Sequence, residues 1–378
     1  MKLEQESEKL ARSWMCHDPA LLRDYLVAGV EDPRINLQSI LTRHFLLGAL
    51  GLERCRPLMD EEYRFAAAMN WLVKLAGQAG ESDELGQVLH ALRKGGDNAE
   101  GIEIPSFMTR TFARLPAAAC GLAIPNYIQT FLRGTQIRDG QARPCQRSLD
   151  TFGDLWRAAL AGEGRGSKVE CRGSGVEGTD RTPSALDPRP SALDPRPPDV
   201  GLPMHRRLTV LEPACGSAND YRFLEACGLA RLIDYHGLDL CPANIQNARA
   251  LFPSVSFELG NVFDIGALDK SFDVCFVHDL FEHLSPAGLE AAVRETCRVT
   301  RQGLCIGFFN MDEIPAHQVR PLREYHWNLL SMARMKELFT SCGFAAQAVH
   351  IGAFLRRQTG CDQTHNPNAY TFLLIPAK

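Results

Sequence analysis

VLEPACGSAND, Val210 to Asp220, sets an apolar run against a carboxylate, a proline and then a string of residues too small to fill a core. A position directly after a strand is normally spent on burying area. Small residues there mean that something else must come close to the backbone.

Outward from this stretch the chain alternates two textures. LTVLE, YHGLDL, VSFELGN, FDVCFVH and GLCIGFF are short apolar runs, and segments of helical length lie between them at 219–227, 242–251 and 286–299. Strands alternating with helices imply a parallel sheet covered on both faces, so the fold class is α/β, a Rossmann-like doubly wound sheet. Ser285 before Pro286 and Ser331 before MARMKELFTSCGF are helix-start signals, and Gly343 sits where the latter helix needs a left-handed residue. The last two runs, AAQAVHIG and AYTFLLIP, show no helix between them and are expected to pair antiparallel at the sheet edge.

In such a sheet ligands bind beyond the carboxyl ends of the strands, where strand order reverses. Ala214, Gly216, Ser217 and Ala218 are then small so that backbone amides and the N-terminus of a helix opening at Asn219 can approach a ligand. About twenty residues on, Asp239 ends the second strand, followed by Leu240, where a carboxylate can accept from both hydroxyls of an adenosine ribose. Asn261 and Val262 end the third strand, an amide and an apolar neighbour suited to edge and cover an adenine ring.

The order VLEPACGS, GLDL, GNVF, FDVCFVHDLFEHL, GLCIGFF and a terminal CGF followed by two strands resembles the class I S-adenosylmethionine-dependent methyltransferases of the small-molecule type, over about Leu208 to Lys378. The resemblance implies S-adenosylmethionine as cofactor. It places Glu212 as the acid that orients the methionine part and Gly216 as the central glycine. Asp239 becomes the ribose acid, and Asn261 with Val262 the adenine-edge pair. His278 to His283, with Phe281 between them, corresponds to the segment beside the cofactor that faces substrate. Ala214 and Ala218 stand where glycines are usual, and an alanine forced to positive φ costs about 1 kcal/mol or more.

A sulfonium is already a good leaving centre, so in-line transfer asks the protein mainly to align a small-molecule acceptor behind the methyl carbon and exclude water. An acceptor hydroxyl also needs a base, and His283, ahead of His278 and His326, is the candidate. His283 equally has a reading as a histidine that packs or caps the following helix. Tyr325, His326 and Trp327 lie in the loop before the last helix, as pocket lining or as an aromatic hinge.

Three rivals share part of this pattern. A nicotinamide dehydrogenase predicts G-x-G-x-x-G, whereas Ala214 to Asn219 reads ACGSAN and no catalytic Tyr/Lys pair follows. A nucleic-acid adenine methyltransferase calls for Asn/Asp-Pro-Pro-aromatic where this chain has HDLF, and a formal net charge of -4 offers no attraction to nucleic acid. The third is a scaffold that keeps the fold and binds partners instead of turning over.

The rest of the chain frames this unit. Its 378 residues, 45% hydrophobic and 23% charged, suit soluble globular domains. Residues 161–203 form a Gly/Pro-rich spacer in which SALDPRP occurs twice, dividing a helical domain at 1–160 from the cofactor-binding domain at 204–378. Helices are expected over Pro19–Ala28, 37–46, 63–76, Pro105–Leu115, Pro125–Arg133 and Leu149–Leu160, with no strand among them. This all-helical half is expected to serve as a lid or as a protein-binding surface. Thirteen scattered cysteines without metal-ligand spacing, a charged start and no apolar run near the ~20 residues of a membrane span point to the cytoplasm, with no metal, membrane or nucleic-acid partner.

Overall fold

The computed structural model describes residues 3–13, 36–52, 55, 59, 62–63, 135–138, 141–144, 157, 160, 207–322, 325–359 and 366–377. The spacer, the expected helices at 19–28, 105–115 and 125–133, and most of those at 63–76 and 149–160 lie outside these residues.

Helices α1 (Leu3–Ser13) and α2 (Leu37–Ala49) come first, followed by an antiparallel pair, β1 (Thr135–Arg138) with β2 (Gln141–Pro144). The helical reading of this half did not include that pair. Asp139-Gly140 between its strands is the dipeptide that tight hairpins favour. Strand β3 (Leu208–Pro213) then opens the α/β unit, leading through α3 (Asn219–Ala226), β4 (Ile233–Asp239), α4 (Pro242–Leu251) and β5 (Ser256–Leu259). It continues with β6 (Phe272–His278), α5 (Pro286–Val299), β7 (Thr300–Phe308), α6 (Met332–Ser341), β8 (Phe344–His350), α7 (Ile351–Thr359) and β9 (Tyr370–Pro376).

The seven strands from β3 onward form one sheet in the order β8-β9-β7-β6-β3-β4-β5. Six run in one direction, and β9 alone runs the other way, pairing antiparallel with both β7 and β8. Strand order reverses at β3, flanked by β4 and β6, so a crevice opens beyond the carboxyl ends there. The expected caps form: Ser285 accepts from the Gly288 amide, Ser331 from the Arg334 amide, and Gly343 has φ 83°.

Along β6 the side chains divide by parity. Val274 and Phe276 join Val210, Tyr235, Phe223 and Leu224 on one face, while Cys275 and Val277 join Leu211, Ile306, Leu289, Val293 and Phe339 on the other. Both faces are therefore dry, which is why these strands read as continuous apolar runs.

Helix α7 differs from the expectation that nothing helical separates the last two strands. Its Ile351, Phe354 and Leu355 have helical spacing and bury against Leu37, Ile40 and Leu41 of α2, a partner more than three hundred residues away in sequence. Helix α2 lies on β6, β7 and β9, with its Asn36 cap accepting from the Gln38 and Ser39 amides. The Gln38 amide donates to the carbonyls of Phe308 (2.9 Å) and Tyr370 (3.2 Å). Gly307 makes this approach possible, since a Cβ there would fall 2.9 Å from His278 and 3.1 Å from Gln38. Helix α1 packs against α5 and Tyr325–His326. No helix among the described residues is long and apolar enough to cross a membrane.

Candidate active site

The loop after β3 is stitched to the end of β4. Cys215 donates its amide to the Leu238 carbonyl at 3.0 Å, and Gly216 donates its amide to Asp239 Oδ2 at 2.9 Å. Three alternate residues take the left-handed conformation, Ala214 at φ 58°, Gly216 at 55° and Ala218 at 67°. The alanines thus occupy the backbone state that favours glycine, and Ala218 in that state begins α3 without a side-chain cap. Ser217 is held from α4, donating to Asn244 Oδ1 and accepting from Asn247 Nδ2, each at 3.3 Å. Asn219 opens α3 half-buried.

Asp239 is buried, and Oδ1 accepts from the Cys241 amide (2.8 Å) and Asn244 Nδ2 (3.1 Å) while Oδ2 accepts from Gly216. A carboxylate has about four acceptor directions, so one remains, on Oδ2. That leaves room for one ribose hydroxyl where the sequence suggested two. Burial pushes the Asp239 carboxyl up against the pull of these donors. Glu212, buried at the end of β3, accepts from the Tyr235 hydroxyl, and burial together with Asp220 and Asp239 raises its carboxyl well above the usual range. An ammonium or sulfonium brought into this set of carboxylates would supply the opposite charge that Glu212 lacks in the cluster, so the donor set fits a cationic nucleoside such as S-adenosylmethionine.

His278 is committed to the scaffold. Its Nδ1 lies 3.1 Å from Asp220 Oδ2 and its Nε2 2.8 Å from Thr42 Oγ1 on α2, while Ser39 Oγ donates to Asp220 Oδ1 at 2.9 Å. Burial works against the charged ring, but the Asp220 carboxylate outweighs it and holds His278 above its ordinary value. Asn261 is tied by Oδ1 to the Phe263 amide (2.9 Å) and by Nδ2 to Ser7 Oγ of α1 (2.8 Å), so α1 sits at the place read as the adenine edge. Val262 and Leu240 are half-buried against the α5-side core. Phe281 is fully buried, its ring 6.0 Å from that of Phe308, and has no surface to offer a substrate.

His283 is buried within an aromatic group, its ring 5.2 Å from Phe309, 5.5 Å from Tyr325 and 5.5 Å from Trp327. Nδ1 lies 3.1 Å from the His326 carbonyl and must donate there, which leaves Nε2 as the acceptor nitrogen. Burial lowers its pKa, so the ring is neutral and of the tautomer a base requires. Tyr325 and His326 are half-buried and Trp327 is exposed. No group of three or more His, Cys, Asp or Glu that could hold a metal ion occurs among the described residues.

The sequence reading missed the residues that α1 contributes. Glu6 is buried and accepts from the Ser285 amide (2.6 Å) and hydroxyl at the start of α5, a carboxylate where the helix dipole favours one. No local pattern announces a contact across 279 residues. It also passed over Asp279, which directly follows β6 with φ 52°. An acid placed immediately after a strand that ends at the crevice is the signal that could have found it.

Residues 210–303 match the family model described as a methyltransferase domain. A protein of Mycolicibacterium smegmatis described as "Probable S-adenosylmethionine-dependent methyltransferase" is 29% identical over 147 residues, 38% of this chain and 54% of the relative. The chain thus spans about half the length of that relative. Among solved structures, the PH0226 protein from Pyrococcus horikoshii OT3 aligns with a TM-score of 0.35 and 21% identity, over 46% of this chain and 84% of that one. Burkholderia thailandensis 1,6-didemethyltoxoflavin-N1-methyltransferase, with 1,6-didemethyltoxoflavin and S-adenosylhomocysteine bound, aligns with a TM-score of 0.34 and 16% identity, over 46% and 72%. The unit that begins at β3 has a Rossmann-like α/β architecture. Over these residues it is similar to a methyltransferase domain and to the S-adenosylmethionine-dependent relative.

Proposed function

We propose that this chain transfers the methyl group of S-adenosylmethionine to a small-molecule acceptor by in-line displacement. The observation that carries the reading is the clasp at the crevice, the Gly216 amide 2.9 Å from Asp239 across the mouths of β3 and β4. When bound, the cofactor supplies an activated methyl group on a sulfonium. The chain's own part is to hold, orient and keep dry. The left-handed loop at 214–218 brings backbone close to the ligand, the remaining acceptor direction of Asp239 takes a ribose hydroxyl, and Glu212 faces the cationic methionine end. Asn261, Val262 and Leu240 border the base, with Ser217 and Asn219 supporting the loop. His283, its ring held neutral by burial and its Nδ1 donating to the His326 carbonyl, is the candidate base, and Tyr325, His326 and Trp327 border the acceptor. Helix α1, latched through Glu6 and Ser7, serves as the lid, so the N-terminal half at 1–160 completes the site from across the spacer at 161–203 and the catalytic domain at 204–378 is not closed without it. The eight cysteines among the described residues are unbridged, which fits a reducing compartment such as the cytoplasm.

The test is to incubate the purified chain and its Asp239→Asn variant with methyl-labelled S-adenosylmethionine and a cell extract, then separate small molecules, protein and nucleic acid. Label in the small-molecule fraction, lost in the variant, is expected. Label confined to protein or nucleic acid would overturn the acceptor class.

A further inference from the structure

Helix α5 holds a thiol that methyl transfer does not use. Cys297 lies in its last turn and is buried in the core on that side of the sheet, 5% exposed. Glu290, Arg294 and Cys297 recur at helical spacing and so share one face of α5. Cys342, which closes α6, meets that face. It packs half-buried against the core that contains Cys297, its thiol and the Cys297 thiol are hydrogen-bonded side chain to side chain, and the charges of Arg294 and Glu290 both reach it. Of the eight cysteines among the described residues, seven are buried and Cys342 alone is not, and no disulfide joins any of them. One thiol of the pair is therefore open to a dissolved reagent, and its neighbour is sealed behind it.

The contact is asymmetric. Burial disfavours a thiolate at Cys297, so this sulfur keeps its proton and is the donor, which pushes its thiol up further. Cys342 is the acceptor. The Cys297 hydrogen bond draws its thiol down to about 6 against its partial burial, with Ser341 and Arg294 assisting and Glu290 opposing. Ser341 Oγ lies 4.0 Å from the Cys342 sulfur. Arg294 is itself paired with Glu290 at 2.8 Å, both more than half exposed, so solvent weakens its pull on the sulfur. The end of α6 adds no help, because the C-terminus of a helix disfavours an anion. The thiolate at Cys342 thus depends on Cys297 above all. A half-exposed thiolate touching a buried thiol supplies an attacking sulfur and a resolving sulfur in one place.

We propose that Cys342 and Cys297 form a peroxide-responsive thiol pair, with Cys342 the attacking sulfur and Cys297 the resolving one. The inference stands apart from the methyl-transfer reading. The Cys342 thiolate attacks one oxygen of hydrogen peroxide and the O–O bond breaks. That oxygen stays on sulfur as a sulfenic acid, and the other leaves as hydroxide, which takes a proton from solvent to become water. Cys297 then gives up its proton as its sulfur attacks the Cys342 sulfur. The S–S bond forms, the S–O bond breaks, and the oxygen leaves with two protons as a second water. Two thiols have lost two electrons and peroxide has gained them. A small dithiol or glutathione-type reductant reverses the bridge by thiol exchange. The bond ties the last turn of α5 to the end of α6 and closes a loop that contains β7.

The test is disulfide mapping by peptide mass spectrometry on the full chain, before and after a pulse of hydrogen peroxide, with remaining thiols capped by iodoacetamide. In the wild type the peptides carrying Cys297 and Cys342 are expected to appear joined after the pulse and to separate with dithiothreitol. Two substitutions divide the tasks of Cys297. Cys297→Ser keeps a donor and loses the resolving sulfur, so Cys342 should still be alkylated with a midpoint near pH 6 and should accumulate as a sulfenic acid that dimedone traps. Cys297→Ala loses both, and the midpoint should rise by at least about one pH unit toward the ordinary thiol value. Should neither fold, Cys342→Ser at the half-exposed helix end decides together with the wild type: peroxide should leave its Cys297 reduced. A wild type in which peroxide leaves the pair unjoined, or joins Cys342 to a different cysteine, overturns the proposal. So does a Cys342 alkylated no faster than the buried Cys275, or a midpoint that Cys297→Ala leaves in place.

Discussion

Exchanging Ala214 and Ala218 for glycine tests the conformation of the loop on which the site is built. Both sit in the left-handed region, at φ 58° and 67°, where an L side chain costs about 1–2 kcal/mol. Glycine removes that strain and gives back about 0.4–1 kcal/mol through the freer unfolded chain, a net gain of about 0.5–1 kcal/mol. The two positions part on burial. Ala214 is half-buried, so Ala214→Gly should show the whole gain, whereas Ala218 is 0% exposed in the core. Its methyl is worth about 0.8 kcal/mol, so Ala218→Gly should come out near neutral. Gly216→Ala, at φ 55°, should lose what Ala214→Gly gains. Urea unfolding at constant m reads all three. An Ala214→Gly variant less stable than the wild type, or Ala218→Gly stabilised as strongly as Ala214→Gly, would refute the assigned loop geometry.

Other consequences concern charge and the lid. With His278 held above its ordinary value by Asp220, the stability the ring contributes is fully present below the unfolded value near 6.5 and is lost as pH rises through the raised folded value. His278→Gln should therefore cost more at pH 6 than at pH 9, read by thermal unfolding. Glu282 runs the other way, since its carboxyl sits at about 8 in the folded chain and near 4.5 unfolded. The wild type should lose stability between those values relative to Glu282→Gln and hold a constant difference above them. On α5, a Cβ at Gly288 would stand 2.7 Å from Glu6 Oε1. Gly288→Ala should then speed hydrogen exchange in α1 while leaving β6 and β7 protected.

What was legible in the sequence is what local chemistry writes there. Continuous apolar runs mark β3, β6 and β7 because both faces of the sheet are dry, and Ser285, Ser331 and Gly343 announce helix ends through their own bonds. The small residues at 214–218 and the acid at Asp239 were singled out by their places after β3 and at the end of β4, and the structure brings the two together through the Gly216 amide. Helix α7 was not, because its apolar face is explained only by α2. Nor were the commitments of His278 and Asn261, whose partners Thr42 and Ser7 lie on helices more than two hundred residues away. Phe281 looked like a pocket residue by its place after β6, and the three-residue turn it opens rotates its ring into the core.

The account rests on a crevice that accepts a sulfonium nucleoside at Gly216 and Asp239. Calorimetric titration of the purified chain with S-adenosylmethionine measures this most directly. A saturable one-to-one heat, weakened at least about tenfold by Asp239→Asn through the lost charge-assisted bond, is expected. A folded wild type that gives no heat, or a variant that binds as tightly, would contradict it.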